Sequence, residues 1–283
     1  EIMPSLVGSE MCIRDRLYLN DEFFEAPSEE NVYLTIANPK LHILYEDENI
    51  LLLDKPAGLV VHADEGEKVN TLVNHLLAYL YQKREWKPCE ENAFTPALCN
   101  RIDRNTGGIV IAAKNAEALR VLNEKIRERE LSKFYLCICL GRPEPPKGSI
   151  ECFLRKDSKT NTVRVYHHPV PDGRSAVTLY ETLETRDRLS LVEVELLTGR
   201  THQIRVHMSA LGYPLAGDRL YYPAFSDTKI KRQALHSHRL SFSHPVTGEM
   251  LTFTSPLPCD MAALIDPEPS AHRGSSLPAV LRG

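Results

Sequence analysis

One carboxylate in this sequence sits where a carboxylate can do chemistry. In Asn100-Arg101-Ile102-Asp103-Arg104-Asn105-Thr106-Gly107-Gly108, Asp103 lies between two arginines, and neighbouring positive charge favours its ionised form. An ionised carboxylate in a cleft can act as a nucleophile. Gly107-Gly108 reads as a turn, because glycine reaches backbone angles closed to other residues. The apolar run from Ile109 to Ala113 reads as a buried strand that follows at once. Together they present Asp103 at a sheet edge. The same residues also suit an ordinary surface Asp-Arg pair, which is common and weak.

A second stretch runs Thr198-Gly199-Arg200-Thr201-His202-Gln203-Ile204-Arg205-Val206-His207-Met208 and on to Asp218. Thr201 is expected to cap a short helix through Ser209, with Gly212 ending it. Thr201, Arg205 and Met208 then share a face, whereas His202 and His207, five apart, diverge. Zinc helices need histidines four apart and a third ligand, so no metal site is expected here. From Leu197 to Pro245 seven Lys or Arg (200, 205, 219, 229, 231, 232, 239) face two acids (218, 227), and five of the eleven histidines fall in the same span. Arginine grips carboxylates and phosphates with two bonds. The span is also compatible with a plain solvated cationic face.

The elements that must hold these stretches read mostly as strands. Residues 1–16 show no periodicity and are expected to be a non-native or disordered lead. Leu17 to Leu19 and Val32 to Ile36 read as short strands. His42 to Tyr45 and Ile50 to Leu53 form a strand pair broken by Lys55-Pro56-Ala57-Gly58. Asn70 or Thr71 opens a helix with Leu72, Val73, Leu76, Leu77 and Leu80 on one side. Lys83 to Pro96 is charged and reads as a solvated loop. Asn115 caps a second helix carrying Leu119, Leu122 and Ile126. Lys133 to Leu140, Ile150 to Leu154, Val163 to Tyr166, Arg174 to Leu183 and Leu189 to Leu196 follow as strands, with a turn-rich link from Pro143 to Gly148. Such an order predicts an α+β domain with a mixed, largely antiparallel central sheet and flanking helices. The tail from Asp266 onward (266–283) is expected to be disordered.

With 283 residues, 42% hydrophobic and 25% charged, the chain suits one large globular domain or one domain with a small appendage. Its net charge of -4 is not that of a polycation, so a nucleic-acid partner needs a local basic surface. Seven cysteines without a C-x-x-C favour a reducing cytoplasm over secretion. Cys137 and Cys139 share a strand face as small core residues. No apolar run approaches the roughly 18 residues that span a membrane, and neither a Rossmann nor a P-loop fingerprint occurs.

Taken together, the stretches resemble the RluA-type family of RNA pseudouridine synthases. The family's nucleophile loop, His-Arg-Leu-Asp-x-x-Thr-Ser-Gly, corresponds to Asn100 through Gly108, with Asn100 and Gly107 as departures. Asp54-Lys55-Pro56-Ala57-Gly58, Lys133-Phe134-Tyr135 and Gly199 through His207 match in the family's order, and His244 through Glu249 with Pro256-Leu257-Pro258 close the domain. The likeness covers residues 41–265, the expected catalytic domain. Residues 17–40 look like the remnant of an S4-like RNA-binding domain. The resemblance implies Asp103 as catalytic carboxylate, Tyr135 against the target uracil and Arg205 paired with Asp103. Arg101 is then near a flipped nucleotide, and Lys55, Lys133, Arg200, His202 and Gln203 are expected to bind substrate. His236, His238 and Lys231 are further candidates for phosphate contacts.

The implied reaction turns uridine into pseudouridine in structured RNA, ribosomal RNA before transfer RNA. It breaks N1–C1′, rotates the base and rejoins it through C5. Nothing is oxidised, so no cofactor is expected, and the protein is expected to act as a cytoplasmic monomer. Asp103 can attack either C1′ or C6. Tyr135, or a base acting through it, is a candidate for removing the C5 proton, although a phenol of pKa about 10 is a poor base. The rivals are a nucleoside or glycoside hydrolase, which usually needs two carboxylates, and a catalytically silent RNA-binding module.

Overall fold

The computed structural model describes residues 31–88, 94–157, 159–224, 230–265 and 281–282. The expected lead, the strand at Leu17 to Leu19 and most of the tail lie outside them. Twelve strands and four α-helices are found among the described residues. β1 (Ile43–Glu46), β2 (Ile50–Lys55), β3 (Ala97–Leu98), β4 (Gly107–Ala113) and β5 (Ser132–Leu140) come first, with α1 (Leu72–Gln82) and α2 (Ala116–Glu128) between them. β6 (Lys147–Asp157), β7 (Thr162–Tyr166), β8 (Arg174–Arg186) and β9 (Leu189–Leu196) follow. Then come α3 (Gln203–Ala210), β10 (Leu235–Ser243), β11 (Met250–Thr254), α4 (Cys259–Ile265) and β12 (Leu281–Arg282).

All twelve strands join one sheet, ordered β1-β2-β4-β10-β5-β9-β8-β6-β7, with β3 on β4, β11 on β10 and β12 on β11. Only β4 and β10 pair in parallel. The fold is therefore the expected α+β arrangement with a mixed, mostly antiparallel sheet. Its centre is buried on both faces. In β2 and β4, Leu51, Leu53, Val110 and Ala112 pack with Leu72, Leu76 and Leu80 of α1. Ile50, Leu52, Ile109, Ile111 and Ala113 pack with Ala118 and Leu122 of α2 on the other side. Alternate residues thus feed two helices, and strands covered on both faces read as unbroken apolar runs.

Thr71 caps α1 by accepting from the Asn74 amide at 3.2 Å, and Asn115 caps α2 by accepting from Ala118 at 2.9 Å. Cys137 and Cys139 are buried on the α1 side of β5. Several local expectations are corrected. Val32–Thr35 is a 3-10 helix rather than a strand; Tyr33 packs against Trp86, ring centres 4.9 Å apart, and no strand pairs with it. Trp86 is buried, so the Lys83 to Pro96 stretch is not simply solvated. Gly107 and Gly108 open β4 instead of forming a turn. Gly108 has φ +109°, and a Cβ there would collide with the backbone of Ser237. A fourth helix, α4, was not expected; its buried Met261 and Ile265 cover Ile138.

Candidate active site

Asp103 stands on the Asn100–Thr106 loop between β3 and β4, and its side chain is 26% exposed. The loop is tied down on both sides. Asn100 accepts from the Ile111 amide at 2.8 Å and donates to Ile109 O at 3.4 Å, so its amide substitutes for a piece of backbone pairing with β4. Thr106 N donates to Asp103 O at 3.0 Å. From below, Lys55 gives its ammonium to the carbonyls of Pro56 (2.9 Å), Leu59 (2.7 Å) and Arg104 (3.0 Å), and Gly58 N also donates to Arg104 O. Lys55 is 1% exposed. Burial pushes its ammonium down to about 7. Its three donors are spent on these backbone carbonyls, so it braces the base of the loop.

The flanking arginines do not hold Asp103. Arg104 turns outward to Asp64, at 2.8 and 2.9 Å, and Arg101 is exposed in the cleft wall. The partner is Arg205, whose Nη1 donates to Asp103 Oδ2 at 3.0 Å. Asp218, with a side chain 1% exposed, takes the other edge of the same guanidinium: Nε to Oδ2 at 2.7 Å and Nη2 to Oδ1 at 2.9 Å. Burial works against the charge of Arg205, but Asp218 and then Asp103 more than offset it and raise its pKa. Such two-bond pairing fixes a guanidinium plane. Asp218 escaped the sequence reading, where it was only one of two acids in a basic span. Its one signal is a carboxylate directly after the small apolar run Leu215-Ala216-Gly217.

Arg205 lies in the first turn of α3, which begins later than expected. Thr201 is not its cap: the helix starts at Gln203, and the capping position is His202, in the left-handed region at φ 53° with no side-chain cap. Gln203 is buried and fully occupied. Its Oε1 accepts from Thr198 Oγ1 and Arg200 N, both at 2.9 Å, and its amide donates to Val177 O and Thr178 Oγ1. Gln203 therefore anchors α3 to β8 in the wall of the cleft.

His202 Nδ1 lies 2.9 Å from Tyr221 Oη. That hydroxyl also accepts from Val163 N, at 2.9 Å. The other ring nitrogen of His202, Nε2, faces Asp103 Oδ2 at 3.8 Å. Burial lowers the His202 pKa, partly countered by Asp103.

Tyr135, on β5, is buried and lines the same cleft. Burial, with the Asp103 charge adding to it, pushes its phenol up to about 12. The cleft holds about 990 Å³. Its wall carries Arg101, Arg104, Arg127, Arg129, Lys133, Arg200 and Arg205, seven cations against the two carboxylates Asp64 and Asp103. The positive lining thus comes from the Asp103 loop and the end of α2 as much as from the 197–245 span. Within that span Arg232 is paired to Asp260 and Arg239 to Glu193. His236 is buried against Ser255, and neither His238 nor Lys231 lines the cleft.

Comparison with known proteins meets this geometry. The model of the family described as RNA pseudouridylate synthase matches residues 49–210. An uncharacterised RNA pseudouridine synthase of Chloroflexus aurantiacus is 40% identical over 75% of this chain and 64% of its own length. The uncharacterised RNA pseudouridine synthase YhcT of Bacillus subtilis is 36% identical over 88% of this chain and 78% of its own. Ribosomal large subunit pseudouridine synthase D of Nitrosomonas europaea is 37% identical over 80% and 64%. The chain belongs to the RluA-type family of RNA pseudouridine synthases. It spans just under two thirds of the length of the Chloroflexus and Nitrosomonas relatives. Among solved structures, human RNA pseudouridylate synthase domain containing 4 superposes with a TM-score of 0.62 at 23% identity, over 78% of this chain and 90% of that one. Human RNA pseudouridylate synthase domain containing 1 also gives 0.62, at 24% identity, over 82% and 86%. At such identity the likeness shows the fold.

Proposed function

We propose that this chain isomerises uridine to pseudouridine in structured RNA, ribosomal RNA first and transfer RNA next, with Asp103 as nucleophile. One observation carries the reading: a partly exposed carboxylate, held at 3.0 Å by a guanidinium that Asp218 has already locked, opens into a cationic cleft beside Tyr135. A base stacked inside RNA is out of reach, so the target is flipped into the cleft, at a cost of a few kcal/mol. Asp103 attacks C1′ or C6, the N1–C1′ bond breaks, the retained base turns, C5 bonds to C1′, and the bond to Asp103 breaks to restore the free carboxylate. The C5 proton leaves and N1 gains one, so atoms and charge balance without any added group.

Arg205 holds Asp103 in orientation in this scheme. Tyr135 supplies the ring against which the uracil lies. With its phenol pushed up to about 12 it is almost never present as phenolate near neutral pH, so the C5 proton passes to another acceptor. Arg101, Lys133 and Arg200 face the RNA, and His202 turns its Nε2 towards Asp103. The enzyme works as a monomer in the cytoplasm, a setting that suits its free thiols.

The test is to incubate the protein with unmodified ribosomal and transfer RNA and map pseudouridine by carbodiimide labelling and primer extension. New stops with wild type and none with Asp103→Asn are expected, with RNA binding retained by the variant. Normal turnover by Asp103→Asn would remove it from the mechanism; release of free uracil would indicate a hydrolase instead.

A further inference from the structure

The cleft has a second charged feature, away from the Asp103–Arg205–Asp218 line. Arg129 closes α2 in the left-handed region, φ 64°, a position that glycine or asparagine takes at least cost. Of the six non-glycine residues with positive φ among the described residues, three (Arg129, Asn161 and His202) line this one cleft. Backbone held in sparsely populated regions gathers at functional sites.

Charge accounting points the same way. The carboxylates next to Arg129 in the chain are taken: Glu128 by Arg127 at 3.0 Å and Glu130 by Lys125 at 3.2 Å. Arg129 therefore has no ion-pair partner among the described residues, and neither has Lys133. Arg200 spends one nitrogen on Ser175 O at 3.1 Å, and its other charges in view are repulsive, from Arg174 and Arg129. Glu193 and Glu195 of β9 lie opposite Leu136 and Phe134, on the sheet face away from Tyr135 and Lys133. Lys133 Nζ sits 3.8 Å from where a Cβ on Gly199 would be, in the half-buried wall, and loss of water lowers its pKa. A partly desolvated ammonium with no ion-pair partner among the described residues is costly unless an anion arrives.

We propose that Arg129, Lys133 and Arg200 form a binding site for an RNA backbone phosphate adjacent to the flipped nucleotide. The proposal rests on the uridine-isomerising reading of the cleft. Its location follows from the strand: Lys133 and Tyr135 are two residues apart on β5, on one face and roughly 6.6 Å from each other along the strand. A base on Tyr135 thus places the next stretch of its own backbone over Lys133. Arg129 reaches it from the end of α2 and Arg200 from the turn before α3. The site reads charge, not sequence, and fixes the direction in which the strand crosses the cleft.

Fluorescence anisotropy of a short fluorescein-labelled oligouridine, titrated with wild type over a salt series, tests this directly. Neutralising one phosphate contact to a single strand lowers the slope of log K against log salt by about 0.7. Because the three cations share one phosphate, Arg129→Gln and Lys133→Gln are each expected to lose part of that slope and the double variant most of it. Arg129→Lys should retain the slope. Arg120→Gln, on α2 but paired with Glu124 at 3.6 Å and outside the cleft, should match wild type. Wild-type slopes in both single variants, or an equal loss in Arg120→Gln, would overturn the site. Pseudouridine mapping on unmodified ribosomal RNA is run in parallel. Absence of product with wild type sinks the isomerase reading, while the slopes still decide the phosphate site.

Discussion

Arg205 Nη1 lies 3.0 Å from Asp103 Oδ2, although 102 residues separate the two in the chain. The contact spends only one of the guanidinium's edges, because Asp218 holds the other through two bonds. Asp103 is thus met by a cation that is already fixed in place, which is what an oriented nucleophile requires.

Replacing Asp218 with Ala leaves the buried Arg205 with a single partner. Removing one member of a buried pair typically costs about 3–5 kcal/mol; with Asp103 still present, a loss of about 3 kcal/mol is expected in urea unfolding. Turnover should fall further than stability alone explains, since Arg205 is then free to swing. An unchanged denaturation midpoint would show that Asp218 does not carry the pairing.

Arg205→Lys keeps the charge but cannot span Asp218 and Asp103 with separate edges. Pseudouridine formation at saturating RNA is expected to drop to nearly the level of Arg205→Ala, with RNA affinity changed little. Near-normal turnover in the lysine variant would mean that charge alone suffices.

Gly108→Ala places a Cβ into the Ser237 backbone at φ +109°. Neither neighbour is a flexible side-chain end, so β4 and β10 must part at the root of the Asp103 loop. A destabilisation of roughly 2 kcal/mol or more is expected, read as a lower melting temperature. Gly212→Ala, where nothing lies within 4 Å of the added carbon, should cost less, only the strain of its positive φ.

Acid should destabilise the fold through His207. It is fully buried, with Nε2 3.0 Å from Cys152 Sγ, and burial pushes its pKa down to about 4 from 6.5. The unfolded chain therefore binds a proton that the folded one refuses, so its contribution is complete above pH 6.5 and is lost as pH falls towards 4. The shift corresponds to about 3 kcal/mol at most. Urea midpoints measured across that window should fall less steeply for His207→Gln than for wild type. Parallel profiles would remove His207 as the cause.

Much of the framework is legible from residue order alone, because the forces concerned are local. Thr71 and Asn115 announce the helices they cap, and the strand over Leu189–Leu196 shows in its alternation. The unbroken runs at Ile50 and Ile109 announce strands covered on both sides. The sequence by itself determined the α+β class, the family and the two stretches that face each other across the cleft.

Only the tertiary structure decided which partner each charged group takes. Asp103 has Arg101 and Arg104 beside it in sequence, yet Arg104 leaves for Asp64 and Arg205 takes the carboxylate. Lys55 and Gln203 belong to the stretches that carry the resemblance, and their donors and acceptors are taken up by backbone and neighbouring hydroxyls, so they hold the site together. The 3-10 turn at Val32–Thr35 likewise depends on Tyr33 meeting Trp86. Propensity and spacing are properties of neighbours in the chain, whereas ion pairing and burial are settled by groups that only folding brings within a few ångströms.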